Sequence, residues 1–221
     1  MEILPPYTHI INRKLKHTYL SLGEHGNLIV KSPALSVQSI EKILLKRLQW
    51  IQNAQKCFHE KKGRYSTFSQ KNQLYFLGIE YPLELVASNK TQLTFNQDKF
   101  ILYYQIYDTT IFRKHINNFY RKEAIQYILP LVKQWAETMQ CLPVKVSFRK
   151  TKRQWGSCSG KDYLSFNTMI MKTPKDAIIY VVIHELAHIK YKHHQKDFWD
   201  FVSSHMPNYK EKQVMLNQYV P

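Results

Sequence analysis

Acidic residues are scarce in this chain: 16 Asp and Glu stand against 32 Lys and Arg in 221 residues, a formal charge of +16. A field of that sign favours anionic partners: nucleic acid, acidic proteins or a membrane surface. The bases are spread along the chain, with local clusters at Arg113-Lys114, Arg121-Lys122 and Arg149 to Arg153. No helix-turn-helix, zinc-finger or RNA-recognition pattern accompanies them. Nucleic acid therefore enters as a partner on charge alone, against the plainer reading of a solvated basic surface. Cysteine is also sparse. Cys57, Cys141 and Cys158 are odd in number and scattered, and they lack C-x-x-C spacing, which excludes a disulfide framework and points to a reducing setting. The first twenty residues lack a basic segment followed by an apolar one, and no apolar stretch approaches the length of a membrane span. The expectation is a cytoplasmic protein without a membrane partner. Internal repeats and low-complexity segments are absent.

What is present is a core. Hydrophobic residues make up 44% and aromatics 14% of the chain, with 15 Tyr, enough for one large or two small globular domains. Residues 8–31 alternate apolar and polar positions, and Gly23-Glu-His-Gly26 between His17–Leu22 and Asn27–Val30 predicts a hairpin. From Ser36 to about Cys57, Ile40, Leu44, Leu48 and Ile51 recur at helical spacing, predicting one amphipathic helix. His59 to Arg64 reads as a basic connector. Short strands follow at Leu74–Leu77, Tyr81–Val86, Leu93–Phe95 and Phe100–Tyr104. Thr110 to about Met139 turns helical, and Pro130 is expected to kink or break it. Further strands read at Val144–Phe148, Arg153–Ser157 and Tyr163–Asn167, the last two joined by a turn at Ser159–Asp162. Helices at His194–Met206 and Asn208–Tyr219 close the chain. The fold class is α+β: a β-rich region with one helix over residues 1–105, then a second domain over residues 106–221.

Between these elements lies Tyr180-Val-Val-Ile-His184-Glu185-Leu-Ala-His188. On an α-helix, positions i and i+4 share one face, so both imidazoles can reach a single ion, and Glu185 projects about 100° away. That geometry places two metal ligands beside a general base. A half-exposed helix face with an internal His–Glu hydrogen bond is the plainer alternative. It is disfavoured because the helix is apolar on nearly every side from Ala177 to Ile183, so two His and a Glu at its end are buried polar groups in need of partners. Thr173 as N-cap, Pro174 at the first helical position and Asp176 near the positive end predict where that helix starts.

Two His hold zinc poorly; a third protein ligand is required. On an unbroken helix His194 would lie about 240° and His193 about 140° around from His188, so the chain must leave the helix between Ile189 and His193 for either to bind. The six-residue step from His188 to His194 matches that of H-E-x-x-H-x-x-G-x-x-H proteases, but Tyr191 stands where those have Gly. His194 is favoured on spacing; His193, Asp197, Asp200 and Glu211 are the alternatives.

Trp155-Gly-Ser-Cys158-Ser, Leu164-Ser-Phe-Asn167, and His184-Glu-Leu-Ala-His188 with His194 and Phe198-Trp199 downstream together resemble the YgjP-like metallopeptidase family, related to SprT-like zincins. The match is good over roughly residues 105–205 and looser before. The resemblance implies a minimal zincin-like metallopeptidase domain with His184, His188 and His194 on one Zn²⁺ ion (other divalent metals also suiting such donors) and Glu185 as base. It also raises His194 above His193. Gln154 departs from the family pattern, in which Arg is common there; Arg153 is the candidate to substitute. Arg153, Trp155 and Tyr191 are the candidate substrate-binding residues, although Trp155, like Trp199, reads more simply as core packing and Tyr191 as a surface or packing residue. Cys158 reads as an inert strand cysteine, and Asn167 as a strand end or a residue that orients a ligand. The hairpin over residues 153–167 is a candidate to pair with an extended substrate. The expected function is zinc-dependent hydrolysis of peptide or protein substrates. The rival classes are a non-peptidase hydrolase using the same ion and a basic nucleic-acid-associated protein with a structural metal.

Overall fold

The computed structural model describes residues 4–23, 26–60 and 72–221, so most of the expected 59–64 connector lies outside them. The chain divides into two compact units, Met1–Lys61 and Lys62–Pro221. In the first, strands β1 (Tyr7–Ile11), β2 (Tyr19–Leu22) and β3 (Leu28–Ser32) form a sheet in the order β1-β3-β2. β2 and β3 make the expected hairpin, and β1 returns parallel to β3. The single helix expected over 36–57 is present as two, α1 (Val37–Lys46) and α2 (Leu48–Glu60). Arg47 closes α1 by donating its N–H to the Leu44 and Leu45 carbonyls at φ −114°, ψ 11°. Its own carbonyl accepts from Ile51 N and starts α2. One non-helical residue leaves Ile40, Leu44 and Ile51 in one buried cluster with Leu28 and Val30, so the apolar periodicity does not register the bend.

The second unit opens with β4 (Gln73–Phe76), β5 (Ile79–Ala87), β6 (Gln92–Phe95) and β7 (Phe100–Tyr104) in the order β4-β5-β7-β6. These strands were expected to belong with the N-terminal region, with a boundary near residue 106. Instead Leu74, Phe76, Leu83, Phe100 and Leu102 share a core with the helices that follow. Helix α3 (Thr109–Met139) buries every fourth residue, Phe112, Ile116, Tyr120, Ala124, Ile128, Val132 and Ala136. The Tyr120 hydroxyl donates to the Tyr75 carbonyl, and Phe119 packs edge-on against Phe76 and Phe100. A boundary at 106 would cut through that packing.

Pro130 does not break α3. Both Pro130 and Gln126, whose carbonyl loses its i+4 donor, are on the exposed side, where water can satisfy the orphaned acceptor. Asp108 caps the helix by accepting from Thr110 N and Ile111 N.

Strands β8 (Lys145–Arg149), β9 (Gly156–Cys158) and β10 (Tyr163–Asn167) form a sheet in the order β8-β10-β9, with β10 parallel to β8 and antiparallel to β9. A 3₁₀ helix (Thr168–Lys172) leads into α4 (Lys175–Lys190), and α5 (Lys196–His205) and α6 (Tyr209–Asn217) follow. The expected N-cap at Thr173 is displaced. Pro174 holds the cap position without a side-chain bond, because Thr173 is consumed by the preceding turn, its hydroxyl and N–H both donating to the Ile170 carbonyl. The tip of the β4–β5 hairpin docks on this junction: Leu77 N donates to Met171 O and Gly78 N to Lys172 O. Gly78 sits at φ +88°, and a Cβ there would come within 2.9 Å of Pro174 Cα, so glycine is required on both counts. No helix among the described residues is long and apolar enough to cross a membrane.

Lys172 is 4% exposed, with its ammonium 5.9 Å from the centre of the Tyr120 ring. Burial, and then nearby Lys150, lower its pKa from 10.5 to about 7. Between those values the unfolded chain holds the extra proton, so the penalty is full at pH 7 and below and fades as pH rises towards 10.5. Lys172→Met should therefore raise the melting temperature by a few degrees at pH 7, by an amount that shrinks towards pH 10. Thermal melts of both proteins across that range check this; a variant that melts lower at pH 7 would mean that the contacts of the ammonium outweigh its desolvation.

Candidate metal centre

Helix α4 is buried over Ala177, Ile178, Tyr180 to Ile183 and Glu185 to Ala187, because an apolar helix on nearly all sides has to run through a core. His184 and His188 stand one turn apart near its C-terminal end. The helix stops at Lys190, and Tyr191 caps it in an extended conformation at φ −124°, ψ 105°. No left-handed residue is needed to turn the chain, which is how Tyr191 occupies a position where Gly is commoner.

From that turn His194 comes back over the helix. Its Nε2 lies 3.0 Å from His188 Nε2 and 3.1 Å from His184 Nε2, and one ligand atom from each of the three lies within 4.8 Å of the others. Phe198, fully buried, packs against all three rings at 4.6 to 5.0 Å. His193 is placed elsewhere: its Nδ1 accepts from Gln195 N and lies 3.9 Å from Asp197. Among the described residues, His184, His188 and His194 form the group of side chains that could hold a metal ion, and His193, Asp197, Asp200 and Glu211 fall outside it.

The donor chemistry suits a cation. His188 Nδ1 lies 2.9 Å from the Tyr191 carbonyl, and a carbonyl can only accept, so Nδ1 carries the proton and Nε2 presents a lone pair. His194 Nε2 faces two other Nε2 atoms and can donate to one at most. Lone pairs therefore converge, and separations of 3.0 and 3.1 Å sit just below the roughly 3.3 Å that tetrahedral Zn–N bonds of about 2.05 Å impose. Burial first, then His188 and His194, lower His184 to about 3. His188 is lowered mainly by burial, against the raising effect of its Tyr191 hydrogen bond. Both rings therefore stay neutral and able to ligate at neutral pH.

Glu185 is 5% exposed, and burial pushes its carboxyl up to about 8. Its neighbour across the site is Gly156 on β9, where a Cβ would come within 2.6 Å of Glu185 Cγ and Oε1. The glycine of Trp155-Gly156-Ser157 thus makes room for the carboxylate, a role invisible without knowing that β9 lies against α4. Asn167 braces the same region. Its Nδ2 donates to Thr151 O, Thr151 Oγ1 and Gln154 O, and its Oδ1 accepts from Met169 N.

The remaining candidates separate. Trp155 is half-buried against the core and Arg153 is exposed on the loop before β9. Tyr191 acts through its carbonyl, its ring lying 5.5 Å from that of Phe201. Cys158 is half-buried on β9, and burial raises its thiol above the ordinary value. The Tyr180 hydroxyl stands 3.5 Å from His184 Nδ1. Trp199, read from sequence as packing, also donates Nε1–H to the His194 carbonyl at 3.1 Å while its ring stacks on Tyr209. A Trp five residues after a His carries no sequence signal of such a bond.

A family model described as YgjP-like, metallopeptidase domain, matches residues 16–219. Comparison with curated proteins finds no match. The chain is similar to the crystal structure of the metallopeptidase zymogen of Pyrococcus abyssi abylysin at 22% identity and a TM-score of 0.37, over 39% of this chain and 89% of that one. It is similar to the metallopeptidase zymogen of Methanocaldococcus jannaschii jannalysin at 19% identity and a TM-score of 0.38, over 41% and 94%.

Replacing Trp199 by Phe keeps the stacked ring and removes the donor to His194. The expected outcome is divalent-metal affinity about tenfold weaker with little change in melting temperature, read by competition with a chromophoric chelator. Unchanged affinity would make Trp199 a packing residue only.

Proposed function

Since the chain belongs to the YgjP-like metallopeptidase family, we propose that it is a zinc-dependent peptidase whose ligands are His184, His188 and His194 and whose general base is Glu185. The observation that carries the reading is the convergence of three Nε2 atoms, with the proton of His188 held on Nδ1 by the Tyr191 carbonyl. Bound there, a divalent ion would supply Lewis acidity, acidifying water and polarising a carbonyl.

The chain's own residues supply the rest. Burial alone raises the Glu185 carboxyl to about 8, and a cation held beside it would favour the ionised form again. As a carboxylate it accepts the proton of the attacking water as that water's oxygen bonds to the scissile carbonyl carbon. The same carboxyl then delivers the proton to the amide nitrogen as the C–N bond breaks, leaving an acid and an amine. Gly156 keeps that carboxylate unobstructed. β9 is an edge strand of its sheet, so its outer backbone groups are available to an extended peptide by strand addition. A cytoplasmic setting and peptide or protein substrates belong to the same proposal.

Elemental analysis of the untagged protein should find about one zinc per chain, with occupancy reduced in His194→Ala. Full retention of metal by that variant would move the third ligand elsewhere. Glu185→Gln should keep the zinc and lose turnover of a peptide library by two orders of magnitude or more. Loss of metal in Glu185→Gln would instead make the carboxylate a ligand or an anchor.

A further inference from the structure

Part of the positive charge is organised. Neither Thr109–Lys122 on α3 nor Val144–Lys161 across β8 and β9 contains an Asp or Glu, although both are rich in Lys and Arg. The two stretches are joined. Arg121 Nη1 donates to Phe148 O at 2.7 Å, and Lys150 Nζ to Asn117 Oδ1 at 3.0 Å. Arg149 Nη2 reaches over to Ser157 Oγ at 3.2 Å, and Ser157 follows Gly156, the residue against Glu185. A cationic rim therefore runs from α3 to the edge strand beside the candidate base. Its loop is fixed, because Asn167 holds Thr151 and Gln154, so the exposed side chains of Lys152 and Arg153 project from a braced backbone. Arg153 is three residues from Gly156, hence within about 11 Å of it.

The charge is uneven along β9: Arg149, Lys150, Lys152 and Arg153 cluster before it, whereas Lys161 follows it on a turn that also carries Asp162. Beyond the histidines, Lys192 is paired with Asp162, and α5 presents Asp197 and Asp200, the latter with Lys196. The cations near β9 thus face a particular end of any chain laid along that strand.

We propose that this rim selects substrates, so that the protein takes extended peptide segments bearing a cluster of acidic residues several positions to one side of the bond presented to Glu185. This rests on the peptidase reading above. A peptide fits better than a nucleic acid because the rim adjoins a strand edge, and the aromatic rings beside it, Phe148 and Trp155, are packed against the core, whereas single-strand binding depends on open rings for base stacking. Exposed charges act over about 10 Å at 0.1 M salt and contribute through steering and register, so the selectivity should be modest and salt-sensitive.

Zinc-supplied Glu185→Gln protein and fluorescent peptides of equal length, acidic-clustered, neutral and basic, test this by anisotropy. The acidic peptide should bind about tenfold tighter than the neutral one at low salt, an advantage that disappears as salt is raised. Adding Lys152→Glu and Arg153→Glu should remove the advantage. Lys42→Glu and Lys46→Glu on α1, an equal change in net charge, should preserve it. No advantage for the acidic peptide, or equal loss in both charge-reversed proteins, overturns the proposal. So does a rim reversal that abolishes single-stranded DNA binding and leaves the acidic advantage intact, which would assign the rim to nucleic acid. Failure of the zinc-loaded wild type to cleave any of these peptides, with the acidic advantage present, would sink the peptidase reading and not the acid selectivity of the rim.

Discussion

The hydrogen bond between His188 Nδ1 and the Tyr191 carbonyl does three jobs at once. It places the proton on one nitrogen and so turns the other, with its lone pair, towards the cluster. It engages a carbonyl just past the last helical residue, where the backbone has turned extended. And it holds the turn from which His194 returns over α4. A helix that ran on would carry His194 far around its axis, so the triad exists only because the helix ends where this bond holds it. Trp199 secures the far side of the same turn through the His194 carbonyl, and Phe198 fills the space beneath the three rings.

A second constraint is the tension between burial and polarity at the end of α4. The helix is in the core because its residues are apolar, and it carries Glu185 and His184 in with it. Burial disfavours the charged form of each, raising the acid and lowering the base. The surrounding structure makes room for them: Gly156 contributes no side chain, and β9 is held in place through β10 and the Asn167 network. Position is thereby fixed by backbone and packing, leaving the reactive atoms for chemistry.

Much of this was legible in the sequence, and what escaped shares a physical character. Alternation and turn residues located β4 to β8 and β10 closely, because a strand's two faces are written at a period of two. The strand expected over Arg153–Ser157, by contrast, is β9 at Gly156–Cys158, with Arg153 to Trp155 on the loop before it. The pairing of His184 with His188 follows from helical spacing, and the departure of the chain before His194 from the same arithmetic. What periodicity cannot carry is one-residue backbone geometry and long-range apposition. Arg47 splits a helix without disturbing its apolar stripe. Pro130 is tolerated because the acceptor it orphans faces water, a fact of position rather than of type. The domain boundary moved because Phe76, Phe100 and Phe119, distant in sequence, meet in one aromatic cluster. Gly156, Asn167 and Trp199 earn their importance from neighbours brought up by other elements, which a linear reading does not supply.

The three histidines are unevenly divided between helix and loop. Two imidazoles project from one turn of a buried helix, and the third arrives on a short loop tied down at Tyr191 and Trp199. The larger part of the candidate site is therefore preorganised in the folded protein, and the conformational entropy lost on capturing an ion there would be confined to the few residues from Tyr191 to His194. A protein arranged in this way would gain little of its global folding free energy from an ion bound there, in contrast to small domains that fold only around theirs. Loading and unloading can then proceed as a local exchange, leaving the core beneath it undisturbed.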